Sequence, residues 1–365
     1  MTQSVFKIPN HLISIERKRT CLYFSRMFLL LLLLIQIIVG NGNAINLSLP
    51  ENGTLWNGAF TPVRYHNNEM EISNESIQSY IYHSGKPLNI IAFSHEWSIN
   101  RSFPIEQITT IYAFGAIPYV RLMLRTDNKQ YRPEPLYTLK RIRDGFYDTE
   151  IRQFAKEAKE LPYPLLIEYG TEMNGWWFSW NGYWTGKEKG TLLFQSVYRH
   201  IITLMKEEGA DNLIWVFHIN WHSNPEEEWN NPKMYYPGDE LIDIIGISAY
   251  GALTPDDKNS LPFWVMMNEG YQTARNISQS KPVLLSEFGT DIRNPYTPAD
   301  VWIEEAFSTL IEQNQWSHVI GFVWWNANWP NDLNPENNTT MRIEDDISIQ
   351  NIFRKYLSSD VVADN

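Results

Sequence analysis

Two carboxyl groups in this chain sit where carboxyl groups are rarely found. Glu172 follows the apolar run Pro164-Leu165-Leu166-Ile167 and opens Glu172-Met173-Asn174-Gly175, which leads into Trp176, Trp177, Phe178 and Trp180. Glu287 comes at the end of a second apolar run, in Val283-Leu284-Leu285-Ser286-Glu287-Phe288-Gly289. An unpaired charge at a buried position is costly, so two acids at the ends of two apolar runs suggest a shared task. Two acids among flat apolar rings suit the hydrolysis of a glycosidic bond. One carboxyl protonates the leaving oxygen, the other meets the anomeric carbon, and the rings hold the sugars. On this reading Glu287 is the nucleophile, and Glu172 is the acid and afterwards the base. A two-step retaining reaction predicts carboxyl groups roughly 5–5.5 Å apart, and an inverting one about 6.5–9.5 Å.

The elements that must hold these acids can be read from the apolar pattern. Short apolar runs occur at Gly58–Val63, Leu88–Phe93, Ile117–Met123, Tyr163–Tyr169, Leu213–Phe217, Leu241–Ser248, Pro282–Leu285 and Val319–Trp325. Amphipathic stretches lie between them, at Glu75–Tyr82, Ile105–Phe114, Thr149–Lys159, Leu192–Glu208, Phe263–Ser278 and Pro298–Gln313, with Gly115 and Gly209 where helix C-caps belong. Alternating strands and helices imply a parallel sheet, and eight such strands predict an α/β fold, a single (β/α)8 barrel. Glu172 and Glu287 then end the fourth and seventh strands. Barrels of this kind keep their chemistry at the C-terminal ends of their strands.

Other residues are predicted to line the same rim and touch substrate. They are His95 and Trp97 after the second strand, Arg121 on the third, and Asn174, Trp177 and Trp180 after the fourth. His218 and Asn220 follow the fifth strand, Tyr250 follows the sixth and Trp325 ends the eighth. Packing at the barrel top is the competing reading for each alone. Strand alternation puts Glu168 one layer below Glu172, where Arg121 would neutralise it or steer the nucleophile. Tyr250 would hydrogen-bond Glu287, and Trp325 would form a sugar platform. His95, Glu96 and His218 show no metal-binding spacing, so neither a metal nor another cofactor is expected.

Composition narrows the partner. The 365 residues carry a formal charge of −12 with 15 Trp and 19 Tyr. Such an acidic chain is a poor ligand for nucleic acid or anionic lipid, so a neutral polysaccharide or oligosaccharide is expected, bound by a monomer. Residues 1–44 run from basic (Arg17, Lys18, Arg19, Arg26) to apolar (Phe28 to Val39) to small (Gly40, Gly42, Ala44). That order predicts a signal peptide cleaved after Ala44 and a secreted, extracellular or periplasmic protein, with an uncleaved anchor as the alternative. The only cysteine, Cys21, would leave with the signal. Residues 45–365 are read as one catalytic domain. Sequons at Asn46, Asn52, Asn74, Asn100, Asn276 and Asn338 matter only in a glycosylating host.

The chain resembles glycoside hydrolase family 26, a β-mannanase family of retaining (β/α)8 enzymes. The likeness rests on Glu172-Met173-Asn174-Gly175-x-Trp177-Phe178-x-Trp180, Ile214-Trp215-Val216-Phe217, Tyr235-Tyr236-Pro237-Gly238-Asp239-Glu240, Asp243-x-x-Gly246-Ile247-Ser248, Lys281-Pro282-Val283 and Ser286-Glu287-Phe288-Gly289. It runs in order from about residue 56 to residue 357. The resemblance implies Glu172 as acid/base and Glu287 as nucleophile, in a secreted retaining endo-glycosidase acting first on β-1,4-mannan. The alternatives are a mixed-linkage β-glucanase or a xylanase on the same scaffold, or a carbohydrate-binding barrel without catalysis. One residue departs from the pattern. The family's mannanases usually carry His before the acid/base, where this chain has Thr171, and the smaller hydroxyl is expected to change what meets the sugar.

Overall fold

Apolar runs that are continuous rather than alternating suit strands covered on both faces, as in a parallel sheet. The computed structural model of the chain describes residues 47–51, 53–63 and 69–365. The expected signal peptide 1–44, Cys21 and the sequons at Asn46 and Asn52 lie outside the described residues. Within them, β1 (Trp56–Phe60), β2 (Ile90–Glu96), β3 (Ile117–Met123), β4 (Leu165–Tyr169), β5 (Leu213–Asn220), β6 (Ile244–Tyr250), β7 (Val283–Gly289) and β8 (Val319–Trp325) each pair with the next. β8 returns to pair in parallel with β1 and closes the barrel. This is the predicted (β/α)8 fold. Among the described residues, no helix is long and apolar enough to cross a membrane.

The helices follow the predicted order. They are α1 (Asn74–Ser84), α2 (Ile105–Ala113), the short α3 (Leu139–Arg143), α4 (Asp148–Ala158), the short α5 (Gly182–Thr185), α6 (Glu188–Glu207), α7 (Phe263–Ile277), α8 (Ala299–Phe307) and α9 (Ile347–Leu357). Local chemistry starts and stops them. Ser73 caps α1 with a reciprocal Ser73–Ser76 capping box, and Gly85 ends it at φ 80°. Helix α8 passes into a wider π turn over Ser308–Glu312, where the Thr309 hydroxyl donates to the Glu305 carbonyl. Helix α9 was not anticipated. Its Asp346 cap accepts from the amides of Ser348 and Ile349, and Phe353 packs edge-on against Tyr80, Phe307 and Trp324.

The strand ends differ from the apolar runs in an informative way. β2 and β7 continue past the apolar residues through Ser94-His95-Glu96 and Ser286-Glu287-Phe288-Gly289. Polar side chains at the C-terminal end of a strand break an apolar pattern without breaking the ladder. β4 does the reverse, ending at Tyr169 three residues before Glu172.

Candidate active site

Register across the barrel decides which side chains meet. Ser94 pairs with Arg121 across β2 and β3, and Arg121 pairs with Glu168 across β3 and β4. Alternation then turns all three towards the barrel axis. Glu168 lies at the bottom of the site and is fully engaged. Its Oε2 accepts from the Tyr119 hydroxyl and lies 2.7 Å from Nδ1 of His218. Its Oε1 accepts from the Thr171 hydroxyl and lies 3.4 Å from Nε of Arg121. Burial acts to raise the Glu168 carboxyl, but His218, Arg121 and these hydrogen bonds outweigh it and hold the group at about 2. Glu168 is therefore an anion at any working pH.

His218 is fixed at both ring nitrogens, by Glu168 on one side and by the Ser248 hydroxyl at 2.7 Å on the other. Burial opposes its charge, yet Glu168, with Glu287 and Glu172 further out, raises its pKa. Arg121 is the second buried cation. Its Nη1 donates to Ser94 Oγ at 2.7 Å and to Glu69 Oε2 at 3.1 Å, and its guanidinium lies 4.7 Å over the Trp325 ring.

Glu287 reaches this network because β7 is irregular. Leu285 pairs with Ile247 but Glu287 with Ser248, and on the other edge Leu285 pairs with Phe322 but Phe288 with Trp324. The strand thus carries one more residue than either neighbour across this stretch, a bulge that lets Ser286 and Glu287 both face inward. The Tyr119 hydroxyl lies 3.1 Å from Ser286 Oγ, and the Tyr250 hydroxyl donates to Glu287 Oε2 at 2.8 Å. Glu287 Oε1 lies 2.9 Å from Arg121 Nε, but the angle falls short of a hydrogen bond. Among the described residues, that oxygen accepts no hydrogen bond. Burial pushes the Glu287 carboxyl up to about 7 against the pull of Arg121 and His218, helped by the charges of Glu172 and Glu168.

Glu172 arrives by a different route from the one predicted. The chain leaves β4 through Gly170 at φ 66°, and Glu172 itself has φ 47°. It is a turn residue and not a strand end, which corrects the expected alternation of Glu168, Gly170 and Glu172. A non-glycine residue in the left-handed region is uncommon and strained, and such strain gathers at functional sites. Three contacts hold it there. The Glu172 amide donates to the His218 carbonyl at 3.0 Å, its carbonyl accepts from Gly175 at 2.8 Å, and the Trp177 indole N–H donates to Oε2 at 2.7 Å. Glu172 and Glu287 act electrostatically on the same His218 and Tyr250, so the turn brings the two acids to one site.

Several residues predicted to touch substrate have other work. His95 points to the helix side of β2, fully buried against Phe154 at 5.7 Å, where burial lowers its pKa to about 4. Trp97 is boxed edge-on by Tyr137 and Tyr147. Asn174 uses its amide on the main chain of Asn220, in both directions at 2.9 Å. Asn220 donates its own side-chain amide to the His222 carbonyl. Trp180 is buried on Phe178, with its N–H on the Thr171 carbonyl. His218 and Arg121 are sealed beneath the acids and position them rather than meet a sugar. Trp325 is only 7% exposed, stacked at 3.8 Å on Phe60, so no open face remains for a platform. Thr171 also turns inward, to Glu168 and His218. Trp177 and Tyr250, each half-buried and hydrogen-bonded to one of the acids, keep surface beside them, and Asn220 is half-buried as well. Sequence reasoning missed Ser94, Tyr119, Ser248 and Glu69. Tyr119 and Ser248 occupy inward strand positions two residues from Arg121 and Tyr250, a signal that was readable.

Glu168, His218 and Glu287 bring possible ligand atoms within 4.8 Å of one another. The donor set does not fit a metal ion, because Arg121 already places a fixed positive charge beside both carboxylates and His218 has no free nitrogen. A cavity of about 360 Å3 lined by Tyr137, Tyr169, Trp180 and Trp184 contains neither acid and lies behind the Glu172 loop.

Comparison with known proteins agrees with the fold. Residues 140–319 match glycosyl hydrolase family 26. The chain belongs to that family. Its members are glycoside hydrolases, and the matched segment holds both acids. The family-26 chain is 24% identical over 279 residues to Endoglucanase H of Acetivibrio thermocellus, covering 72% of this chain and 28% of that protein. It is 27% identical over 184 residues to a mannan endo-1,4-beta-mannosidase of Bacillus subtilis, covering 50% and 44%. The chain therefore spans less than half the length of these relatives. The catalytic domain of a family-26 endo-beta-1,4-mannanase from Bacillus sp. JAMB-750 shares the fold, with a TM-score of 0.60 at 16% identity over 85% of this chain and 87% of that one.

Proposed function

We propose that this family-26 chain is a secreted endo-glycoside hydrolase that cleaves a β-linked polysaccharide with retention, β-1,4-mannan before other glycans. The observation that carries the reading is the state of Glu287. It is a buried carboxylate with one oxygen held by Tyr250 and the other, free of hydrogen bonds, beside Arg121, in a site where the charge of Glu172 is felt. The Glu287 carboxylate attacks the anomeric carbon while Glu172 gives its proton to the leaving oxygen. A glycosyl ester on Glu287 results. Water, deprotonated by Glu172, then opens the ester, and the two inversions sum to retention. Arg121 and Tyr250 hold Glu287 at the attacking angle, and the Trp177 N–H aims Glu172. No step calls for a cofactor.

Mannan is preferred because of the mannosidase relative. The endoglucanase relative keeps mixed-linkage glucan as the second choice. Secretion rests on the basic, apolar and small-residue order of residues 1–44. The decisive experiment measures new reducing ends on mannan, glucomannan, mixed-linkage glucan and xylan, with proton NMR of the first product. Release from mannan of a product that is β at first supports the proposal. An α product would reverse the role of Glu287, and saturable binding with no new reducing ends would mean a binding barrel.

A further inference from the structure

On the nucleophile side Trp325 offers no open face, because it is covered by Phe60 and Arg121. The Glu172 side is different. Residue 177 turns its indole to the acid, and its neighbour Trp176 turns outward into a group of four rings. Trp176 meets Tyr131 edge-on at 5.5 Å and Tyr183 edge-on at 5.3 Å. Its plane is within 4° of that of Trp184, which in turn meets Tyr183 edge-on at 4.8 Å. Tyr131 is 55% exposed and Tyr183 46%, and both indoles are half-buried.

This ridge is held rigidly although it faces water. The Trp176 amide donates to the Asn224 carbonyl at 2.8 Å, and the Trp176 carbonyl accepts the Trp184 indole N–H at 2.6 Å. Tyr131 stands at φ 57°, a conformation that a bulky side chain avoids, and its amide is pinned to the Trp177 carbonyl at 3.0 Å. A strained backbone that holds a half-exposed aromatic ring against Trp176 is the kind of feature that gathers at ligand sites. The four rings carry no charge, and the two tyrosine hydroxyls make no hydrogen bond among the described residues. Such a surface suits a neutral ligand with apolar faces and hydroxyl edges.

We propose that Trp176, Tyr131, Tyr183 and Trp184 form the platform for the leaving-group end of the polysaccharide, beyond the sugar whose oxygen Glu172 protonates. The proposal rests on the acid role given to Glu172, because that role fixes which end of the chain departs on this side. Sugar rings stack on the ridge, so chain length past the cleaved bond raises turnover, and cleavage falls inside the polymer rather than at its end.

The test compares wild type with Trp176→Ala, Tyr183→Ala and Tyr131→Gly, the last chosen because glycine accepts the backbone angle. Each is assayed on the polysaccharide that wild type cleaves best. Each is also assayed on a nitrophenyl disaccharide of the same sugar, whose single-ring leaving group does not reach the ridge. The expected result is a drop of roughly tenfold in the ratio of the two kcat/KM values for Trp176→Ala, the scale of losing one stacked apolar face. Smaller drops are expected for the tyrosines, with melting temperatures kept. An equal loss on both substrates, or no loss on either, overturns the platform. If wild type cleaves neither substrate, the catalytic reading fails, and the ridge is judged by retardation in gels containing mannan, glucomannan, mixed-linkage glucan or xylan. Retardation that weakens in Trp176→Ala upholds it. Retardation equal in wild type and variant, or absent in both, overturns it.

Discussion

Glu168 and Glu287 touch the same arginine and are almost equally hidden from water, yet they behave as opposites. Glu168 is met by two hydroxyls, an imidazole and a guanidinium, and it sits at about 2. Glu287 has one hydroxyl and one poorly aligned guanidinium contact, and it sits at about 7. Burial alone would raise both. The number of donors around each carboxyl sets the difference, and with it the division between a structural anion and a reactive one. The lower layer fixes His218 and Arg121, and these in turn support the upper layer without saturating it.

The contrast can be broken at either layer. The largest effect is expected from Glu287→Gln, which should lower kcat by at least about 10³-fold, with Glu172→Gln costing roughly 10²–10⁴-fold. Both should keep their melting temperatures within a few degrees, so kinetics and thermal melting are measured together. Normal turnover in either variant would remove the mechanism. Glu168→Gln should act on stability instead. Leaving two buried cations undercompensated costs about 3–5 kcal/mol, readable as a lower urea midpoint.

Opposite pH dependences should sharpen the comparison. Glu287 has a folded pKa of about 7, above its ordinary 4.5. Its stabilising contribution is complete below pH 4.5 and is lost as the pH rises through 7. Glu168, held at about 2, contributes above pH 4.5, and that contribution, about 3 kcal/mol, is lost as the pH falls through 2. Urea titrations across pH should therefore show Glu287→Gln flattening the upper window and Glu168→Gln the lower. A wild-type curve with no fall between pH 4.5 and 7 would count against the Glu287 assignment.

The smallest effect belongs to Tyr250→Phe. Removing the hydrogen bond to the ionised Glu287 should move the low-pH limb of kcat/KM, expected near pH 7, upward by about one unit. It should also cost about tenfold in rate below that limb, on the scale of a hydrogen bond to a charged group. A limb that stays in place would mean that Tyr250 is a packing residue.

Much of the fold was legible because eight apolar runs and the amphipathic stretches between them leave few alternatives to a barrel. Ile117–Met123 and Val319–Trp325 even match their strands residue for residue. Both acids were legible as polar interruptions after apolar runs. The rim was less so, because position along a strand does not say which way a side chain faces. His95 follows inward-facing Ser94 by one residue and so faces the helices, and Trp97 and Trp180 are consumed by tertiary packing. Arg121 does lie against Glu168 and Glu287 as expected. Asn174 and His218 were found by type but assigned to substrate, while their hydrogen bonds go to protein groups distant in sequence. Helix α9 had the spacing Ile349, Ile352, Phe353, Tyr356, but it falls after the eighth strand, where the barrel count no longer asks for one.

The irregular pairing of β7 has a consequence for how this chemistry can be lost or kept. In a perfectly alternating strand, position 287 would look outward, into the greasy shell that surrounds Phe288, and the carboxylate would have no arginine to meet. The barrel would still close and still look intact by any measure of its cylinder. A deletion of Ser286 should instead remove the extra residue and leave Glu287 directly after outward-facing Leu285, still turned inward, so that the reactive group survives while the Tyr119–Ser286 contact is lost.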